Sequence, residues 1–206
     1  MKNSKFEFDT TASLDTDCQR SFTPLCPDEL PVPDGHNIVD ALNRQAKWAR
    51  YRVGSKDWHP ANALWLATKE SPQFTPIVNA KNMNMHWNAH CIAGTRGAEL
   101  LDGLPSVSDY DFMVYKGLEP DMHPYGACYH DLENKISTGL IEFLKDKGVT
   151  RVICGGLATD FCVNMTAIQL SKHFEVWVNL SACRGIGDSS DAIKEMVEHG
   201  IKVDYL

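Results

Sequence analysis

The sequence predicts an α/β protein, a single three-layer α/β/α domain spanning residues 1–206 with a central parallel sheet of about six strands between two layers of helices. Three observations carry this. Short β-branched runs alternate with segments of helical periodicity along the chain, and a strand followed by a helix, repeated, closes into a parallel sheet covered on both faces. A Gly-Gly turn joins the apolar run Arg151-Val152-Ile153-Cys154 to a helical segment. Finally, 43% hydrophobic and 23% charged residues are the proportions of an ordinary soluble globular protein that can bury a core without disulfides.

Strands are expected at 11–16, 51–56, 111–115, 150–155, 175–179 and 202–205. Helices are expected at 36–50, from Ile38, Leu42, Ala46 and Trp48, and at 132–147, from Ile136, Leu140, Ile141 and Leu144. A third falls at 189–199, and another continues through Met165, Ile168 and Leu170. Two stretches break the alternation: the proline-rich 24–34 and the long irregular 58–97, a length of loop that usually serves function.

A formal net charge of -7 argues against a nucleic-acid surface. No apolar stretch is long enough for a membrane span, and the amino terminus lacks an apolar signal core, so a cytoplasmic location is expected. Seven cysteines without regular spacing give neither a disulfide framework nor a zinc ribbon and read as free thiols.

The chemistry gathers at strand ends. In an open parallel sheet, ligands bind beyond the carboxyl ends of the strands. Here the first four strands run into Asp17, into Asp57 and His59, into Lys116, and into the turn that carries Cys162. In Gly155-Gly156-Leu157-Ala158-Thr159-Asp160-Phe161-Cys162-Val163, Thr159 or Asp160 can cap the following helix and place Cys162 in its first turn. The helix dipole there favours thiolate, the form that attacks a carbonyl carbon. A small buried hydrophobe is the other reading of Cys162.

If Asp17, Lys116 and Cys162 meet, the carboxylate accepts the thiol proton and the ammonium holds the carboxylate and favours thiolate. The backbone N–H groups of Ala158 and Cys162 can then hold the oxyanion of an acyl-transfer reaction. The alternative is a salt bridge at the strand ends beside an inert cysteine. Asp57 and His59, two apart in extended chain, point the same way and could share one cation with His90. One carboxylate and two imidazoles suit zinc, iron or manganese, with His86, His123 and His130 competing for the third place.

Several segments together resemble the nicotinamidase/pyrazinamidase branch of the isochorismatase-like cysteine hydrolases. Asp17-Cys18-Gln19-Arg20-Ser21-Phe22 resembles the opening D-x-Q-x-x-F, and Leu30 to Gly35 resembles the segment after it. Asp57-Trp58-His59-Pro60-Ala61-Asn62 is similar to the metal motif, and 87–99 to W-P-x-H-C…G-T-x-G-A-E. Lys116-Gly117…Tyr125-Gly126-Ala127 is similar to K-G…Y-S-A, and 156–163 to G-L-A-T-D-Y-C-V.

The resemblance implies a Rossmann-like domain with Asp17, Lys116 and Cys162 as the catalytic set, Ala158 and Cys162 as the oxyanion hole, and Asp57, His59 and His90 as ligands of one divalent metal, zinc first and iron or manganese next. It also implies a cis peptide between Leu157 and Ala158, and Phe22, Trp87, Leu157 and Tyr125 around the substrate ring. For Phe22 and Trp87, plain core packing is the alternative. The implied activity is hydrolysis of nicotinamide, and of pyrazinamide, to the acid and ammonia through a cysteine thioester, in NAD salvage. Its partner is a small amide, with no nucleotide cofactor, nucleic acid or membrane, and a homo-oligomer is left open. Another amidase of the superfamily and a non-catalytic binding protein are the alternatives.

The chain also departs from the family pattern. After the metal motif it has Ala63-Leu64-Trp65-Leu66 where relatives continue with histidine and then S-F, so a fourth metal ligand is missing. Asn88 replaces proline, Gly126 and Cys128 flank Ala127, and the first strand is Thr11-Ala12-Ser13-Leu14-Asp15 rather than apolar.

Overall fold

A computed structural model describes residues 5–206. Its six strands are β1 (Thr11–Thr16), β2 (Tyr51–Asp57), β3 (Phe112–Lys116), β4 (Arg151–Leu157), β5 (Glu175–Arg184) and β6 (Lys202–Asp204). They form one sheet in the order β3-β2-β1-β4-β5-β6, with every pairing parallel. Helices α1 (Val39–Ala46), α2 (Leu140–Asp146), α3 (Asn164–Ser171) and α4 (Ser190–Glu198) complete the layers. Ile38, Ala41 and Leu42 of the α1 region share one core cluster with Trp65, Trp87 and Leu157. The other cluster joins Leu140, Leu144, Ala167, Leu170 and Met196 from α2, α3 and α4 to Leu14, Val152 and Val178 of the sheet.

β1 is buried throughout although it reads Thr-Ala-Ser-Leu-Asp-Thr. A polar central strand is tolerable only when its side chains find partners. Ser13 Oγ accepts from Gln45 Nε2 at 3.1 Å, and the same amide donates to the Ile153 carbonyl at 2.9 Å. Asp15 Oδ2 accepts from Arg52 Nε and from the Tyr110 hydroxyl, each at 2.8 Å.

Two expected helices are shorter than the periodicity predicts. The segment at 36–50 opens as a 3-10 turn, Gly35–Ile38, before α1 begins. The one at 132–147 starts only at Leu140, because Gly139 adopts φ +87° and Asp131 Oδ1 accepts from the backbone N–H of Lys135 and Ile136. Those two bonds close a turn, which leaves Ile136 exposed instead of on a helix face. The last strand ends at Asp204, and β5 runs on to Arg184 past a register shift opposite Cys154 and Gly156.

Gly156 shows why the strand carrying the reactive turn needs its second glycine. Its φ is +131°, and a Cβ there would run into the backbone of Thr16 in β1. Gly156→Ala is expected to cost about 1–3 kcal/mol from backbone strain alone, with more from the clash. Urea denaturation checks it, and an unchanged midpoint would contradict this account of the strand.

The irregular stretch after β2 is pinned rather than loose. Backbone bridges join His59 to Ile92, Leu66 to Trp87, Pro76 to Met85, Asn82 to Met122, and Gln19 to Leu100. These fold the loop back over the carboxyl edge of the sheet.

Candidate active site

The central strands deliver their end residues to one point. Asp57, Lys116 and Leu157 are the last residues of β2, β3 and β4, and Asp17 follows β1 with φ +46°. Because β3, β2, β1 and β4 are consecutive neighbours, these ends lie side by side. Asp17, Asp57 and Cys162 are all buried, with one ligand atom of each within 4.8 Å of the others.

Lys116, fully buried, ties them together. Its Nζ lies 3.1 Å from Asp17 Oδ2, donates to Asp57 Oδ1 in a short contact and to the Pro124 carbonyl at 3.2 Å, and meets Cys162 Sγ at 3.8 Å. Burial opposes the charge on Lys116, but Asp17, Asp57 and Cys162 outweigh it and hold its pKa well above the ordinary lysine value. Two carboxylates thus share one ammonium, and they do so unequally. Burial works against ionisation of Asp57, yet Lys116 and then His59 overcome it and leave its pKa depressed. Asp17 is raised, by burial first and by Asp57 also, against the pull of Lys116. Asp17 is therefore the better proton acceptor of the two. Ser55 Oγ donates to Asp17 Oδ1 at 2.6 Å and fixes its orientation.

The nucleophile turn differs from the expected one. Thr159–Val163 forms a π-helical turn ahead of α3, a local widening that is frequent at functional sites. Neither Thr159 nor Asp160 caps it: Asp160 instead accepts the backbone N–H of Ile186 at 3.0 Å and of Gly187 at 2.9 Å. Nor is Cys162 poised as a thiolate by the helix. Burial pushes its thiol well above the ordinary value, with Lys116 pulling down and Asp17 and Asp57 adding to the rise. Burial thus opposes the thiolate, and the thiol holds its proton until a base takes it. The Leu157–Ala158 peptide is cis.

Beside this group stand His59, His90 and His123, all buried, with one ring nitrogen of each within 4.8 Å of the others. Tautomers follow from the carbonyls they face, which can only accept. His59 Nδ1 lies 3.0 Å from the Gly117 oxygen and His90 Nδ1 lies 2.6 Å from the Asn88 oxygen, so both Nδ1 atoms carry the proton. Both Nε2 lone pairs then point inward, with Asp57 Oδ2 at 3.5 Å from that of His59 and 4.0 Å from that of His90. Gly117, at φ +68°, leaves room for the His59 ring where a Cβ would collide with it. Ligands about 2.1 Å from one ion sit roughly 3 to 4 Å apart. The separations of Asp57 from His59 and from His90 meet that spacing, and His59 Nε2 is a buried atom with no hydrogen-bond partner among the described residues. The residues fit a divalent cation. Burial, then the His59 ring, lowers the His90 pKa to about 3, which keeps that ring neutral.

A cavity of about 270 Å³ opens onto both groups. Phe22, Trp87 and Tyr125 line it as expected, with Ala158, Cys162, Asp57 and His90. Leu157 does not: its side chain lies in the core cluster, and the neighbouring Ala158 lines the cavity instead. Leu30, His123, Phe161 and Ile186 line the cavity without having been singled out for it. Phe161 stands edge-on to Trp87, with centroids 4.9 Å apart. Gln19 is a further omission. Buried at the foot of the loop, it donates to the carbonyls of Asp57 at 2.8 Å and Ala98 at 3.1 Å and accepts the Asp57 N–H at 2.8 Å. Its place within the D-x-Q segment was the available signal. His86 and His130 stay out of the cluster; His86 Nδ1 faces the Leu66 oxygen at 3.3 Å.

A buried thiol, a carboxylate and a lysine on the edge of a parallel sheet, next to a cation-fitting imidazole group, define a cysteine hydrolase of the α/β class. The chain belongs to the isochorismatase family, whose domain model, described as "Isochorismatase domain", matches residues 11–203, and within it to the nicotinamidase/pyrazinamidase branch. It is 31% identical to the nicotinamidase of Acinetobacter baylyi over 93% of this chain and 90% of that protein. Among solved structures it superposes on the Acinetobacter baumanii nicotinamidase/pyrazinamidase with a TM-score of 0.86 and 30% identity, covering 95% of each chain. The pyrazinamidase of Pyrococcus horikoshii in complex with zinc gives 0.76 and 31%, covering 96% of this chain and 99% of that one. PnC1 of L. infantum in complex with nicotinate gives 0.81 and 28%, covering 97% and 94%.

Proposed function

We propose that the protein is a metal-assisted nicotinamidase, hydrolysing nicotinamide and pyrazinamide to the corresponding acid and ammonia. The observation that carries this reading is Lys116 Nζ within 3.1 Å of Asp17 and 3.8 Å of Cys162 Sγ, with Cys162 lining an aromatic-walled cavity. The relatives' names and their complexes with nicotinate and zinc support the substrate class and the metal.

The steps follow from the geometry. A flat ring enters between Phe22 and Trp87, whose faces suit it, with its carboxamide toward Cys162. Asp17 takes the Cys162 proton as the sulfur adds to the carbonyl carbon, and the backbone N–H groups of Ala158 and Cys162 hold the resulting oxyanion. Asp17 returns the proton to the departing nitrogen; ammonia leaves and a thioester remains on Cys162. A water that loses its proton to Asp17 then cleaves the thioester, releasing the acid and restoring the thiol. Lys116 keeps the changing charge on Asp17 and Cys162 paired throughout. Asp57, His59 and His90 would hold a divalent metal, zinc in the first instance, which supplies an electrophilic centre to orient the ring and activate water.

Ammonia release from a panel of amides, measured before and after chelation, tests this. Activity on nicotinamide and pyrazinamide is expected, falling at least about 100-fold on chelation and returning with one divalent metal. If both are inert with the metal bound while another carboxamide is turned over, the protein is a different amidase of the superfamily. No turnover of any amide leaves a binding protein. Seven free cysteines suit a reducing, cytoplasmic compartment.

A further inference from the structure

The departures from the family pattern at Ala63-Leu64-Trp65-Leu66 and the position of His123 belong to one piece of structure. The Leu64 backbone N–H donates to the Pro120 carbonyl at 2.8 Å, and the Trp65 indole N–H donates to the Met122 carbonyl at 3.1 Å. The His123 N–H donates to the Asn82 carbonyl at 2.7 Å. Two bonds thus dock segment 120–123 on the altered loop, and the third, to Asn82, fixes the backbone at His123. Its ring stacks between His59 (centroids 5.2 Å, 17°) and Trp87 (5.7 Å, 11°), and the fully buried Trp65 packs edge-on against it at 4.5 Å.

So placed, His123 has no protein oxygen on either ring nitrogen. Its Nδ1 is buried without a partner among the described residues, and its Nε2 meets only His90 Nε2, at 3.5 Å. That His90 nitrogen is the lone-pair end of a tautomer fixed by the Asn88 carbonyl. A separation of 3.5 Å between two imidazole nitrogens is the spacing of two ligands on one ion. Ala63, where the family pattern has a histidine, offers no ligand atom.

We propose that His123 is a fourth protein ligand of the divalent metal, joining Asp57, His59 and His90 and delivered from the loop after β3 instead of from position 63. The inference rests on the metal-assisted reading above and deepens it. Three imidazoles and one carboxylate would give the ion four protein ligands, a set that suits zinc, iron(II) or manganese(II).

The test is X-ray absorption of the zinc-loaded full chain, which counts imidazoles, together with zinc affinity from competition against a chromogenic chelator. Wild type is expected to show three imidazoles. His123→Ala should show two and lose about 10- to 100-fold in affinity, while His86→Ala keeps both values. Two imidazoles in wild type, or an unchanged affinity in His123→Ala, would overturn the assignment and leave the metal-assisted reading standing. The wild-type count needs no variant, so it decides even if His123→Ala does not fold. A chain that takes up no divalent metal would overturn both.

Discussion

Cys162→Ala is expected to lower kcat for nicotinamide hydrolysis by about 10⁴- to 10⁶-fold while nicotinate still binds. The magnitude follows from what the sulfur supplies. Without it no thioester forms, and the remaining groups can only position water against an unactivated amide. Binding survives because the aromatic walls at Phe22, Trp87 and Tyr125 and the imidazole group are untouched. The substitution is also mild for the fold, since it removes one small side chain whose polar partners are Lys116 Nζ, at 3.8 Å, and Asp17. Ammonia release and calorimetric titration with nicotinate check the two halves. Turnover within tenfold of wild type would remove the covalent route.

Lys116→Met is expected to abolish turnover and to cost about 3–5 kcal/mol of stability. Lys116 is fully buried and, among the described residues, is the one lysine or arginine paired with both Asp17 and Asp57, themselves buried at the ends of adjacent strands. In the metal-free protein, methionine fills the volume but leaves two carboxylates without their lysine countercharge in a low-dielectric site. The loss should therefore exceed that of an ordinary core substitution. Adding Asp17→Asn to Lys116→Met removes one of the stranded charges, so the double variant should regain stability and stay inactive. Urea denaturation of the three proteins measures this. If Lys116→Met is as stable as wild type, the buried charge network described here is wrong.

How much of this was legible in the sequence depended on where the signal sat. Asp17, Asp57 and Lys116 were readable because each follows an expected strand, and a parallel sheet places neighbouring carboxyl ends together. Asp57 and His59 were readable as a pair because alternation along an extended chain sets both on one side. The protonation state of Cys162 was not readable. Helix position argued for thiolate, but burial decides the matter, and burial depends on the loop that covers the site. His123 was visible only as one of several competing histidines. Its selection needs the hydrogen bonds from Leu64 and Trp65, which link segments far apart in the chain and leave no periodic trace. The false helix at 132–139 had the opposite origin: a correct 3.6-residue spacing was overruled by Gly139 and by the Asp131 carboxylate.

The central claim is that Cys162 carries the acyl group of nicotinamide. Rapid quenching of the metal-loaded enzyme during turnover, with peptide mass spectrometry and with hydroxylamine as an acyl acceptor in a parallel reaction, tests it most directly. The expected result is a nicotinoyl adduct on the peptide containing Cys162, nicotinohydroxamate in the hydroxylamine reaction, and neither with Cys162→Ala. Sustained ammonia release with neither adduct nor hydroxamate would contradict it.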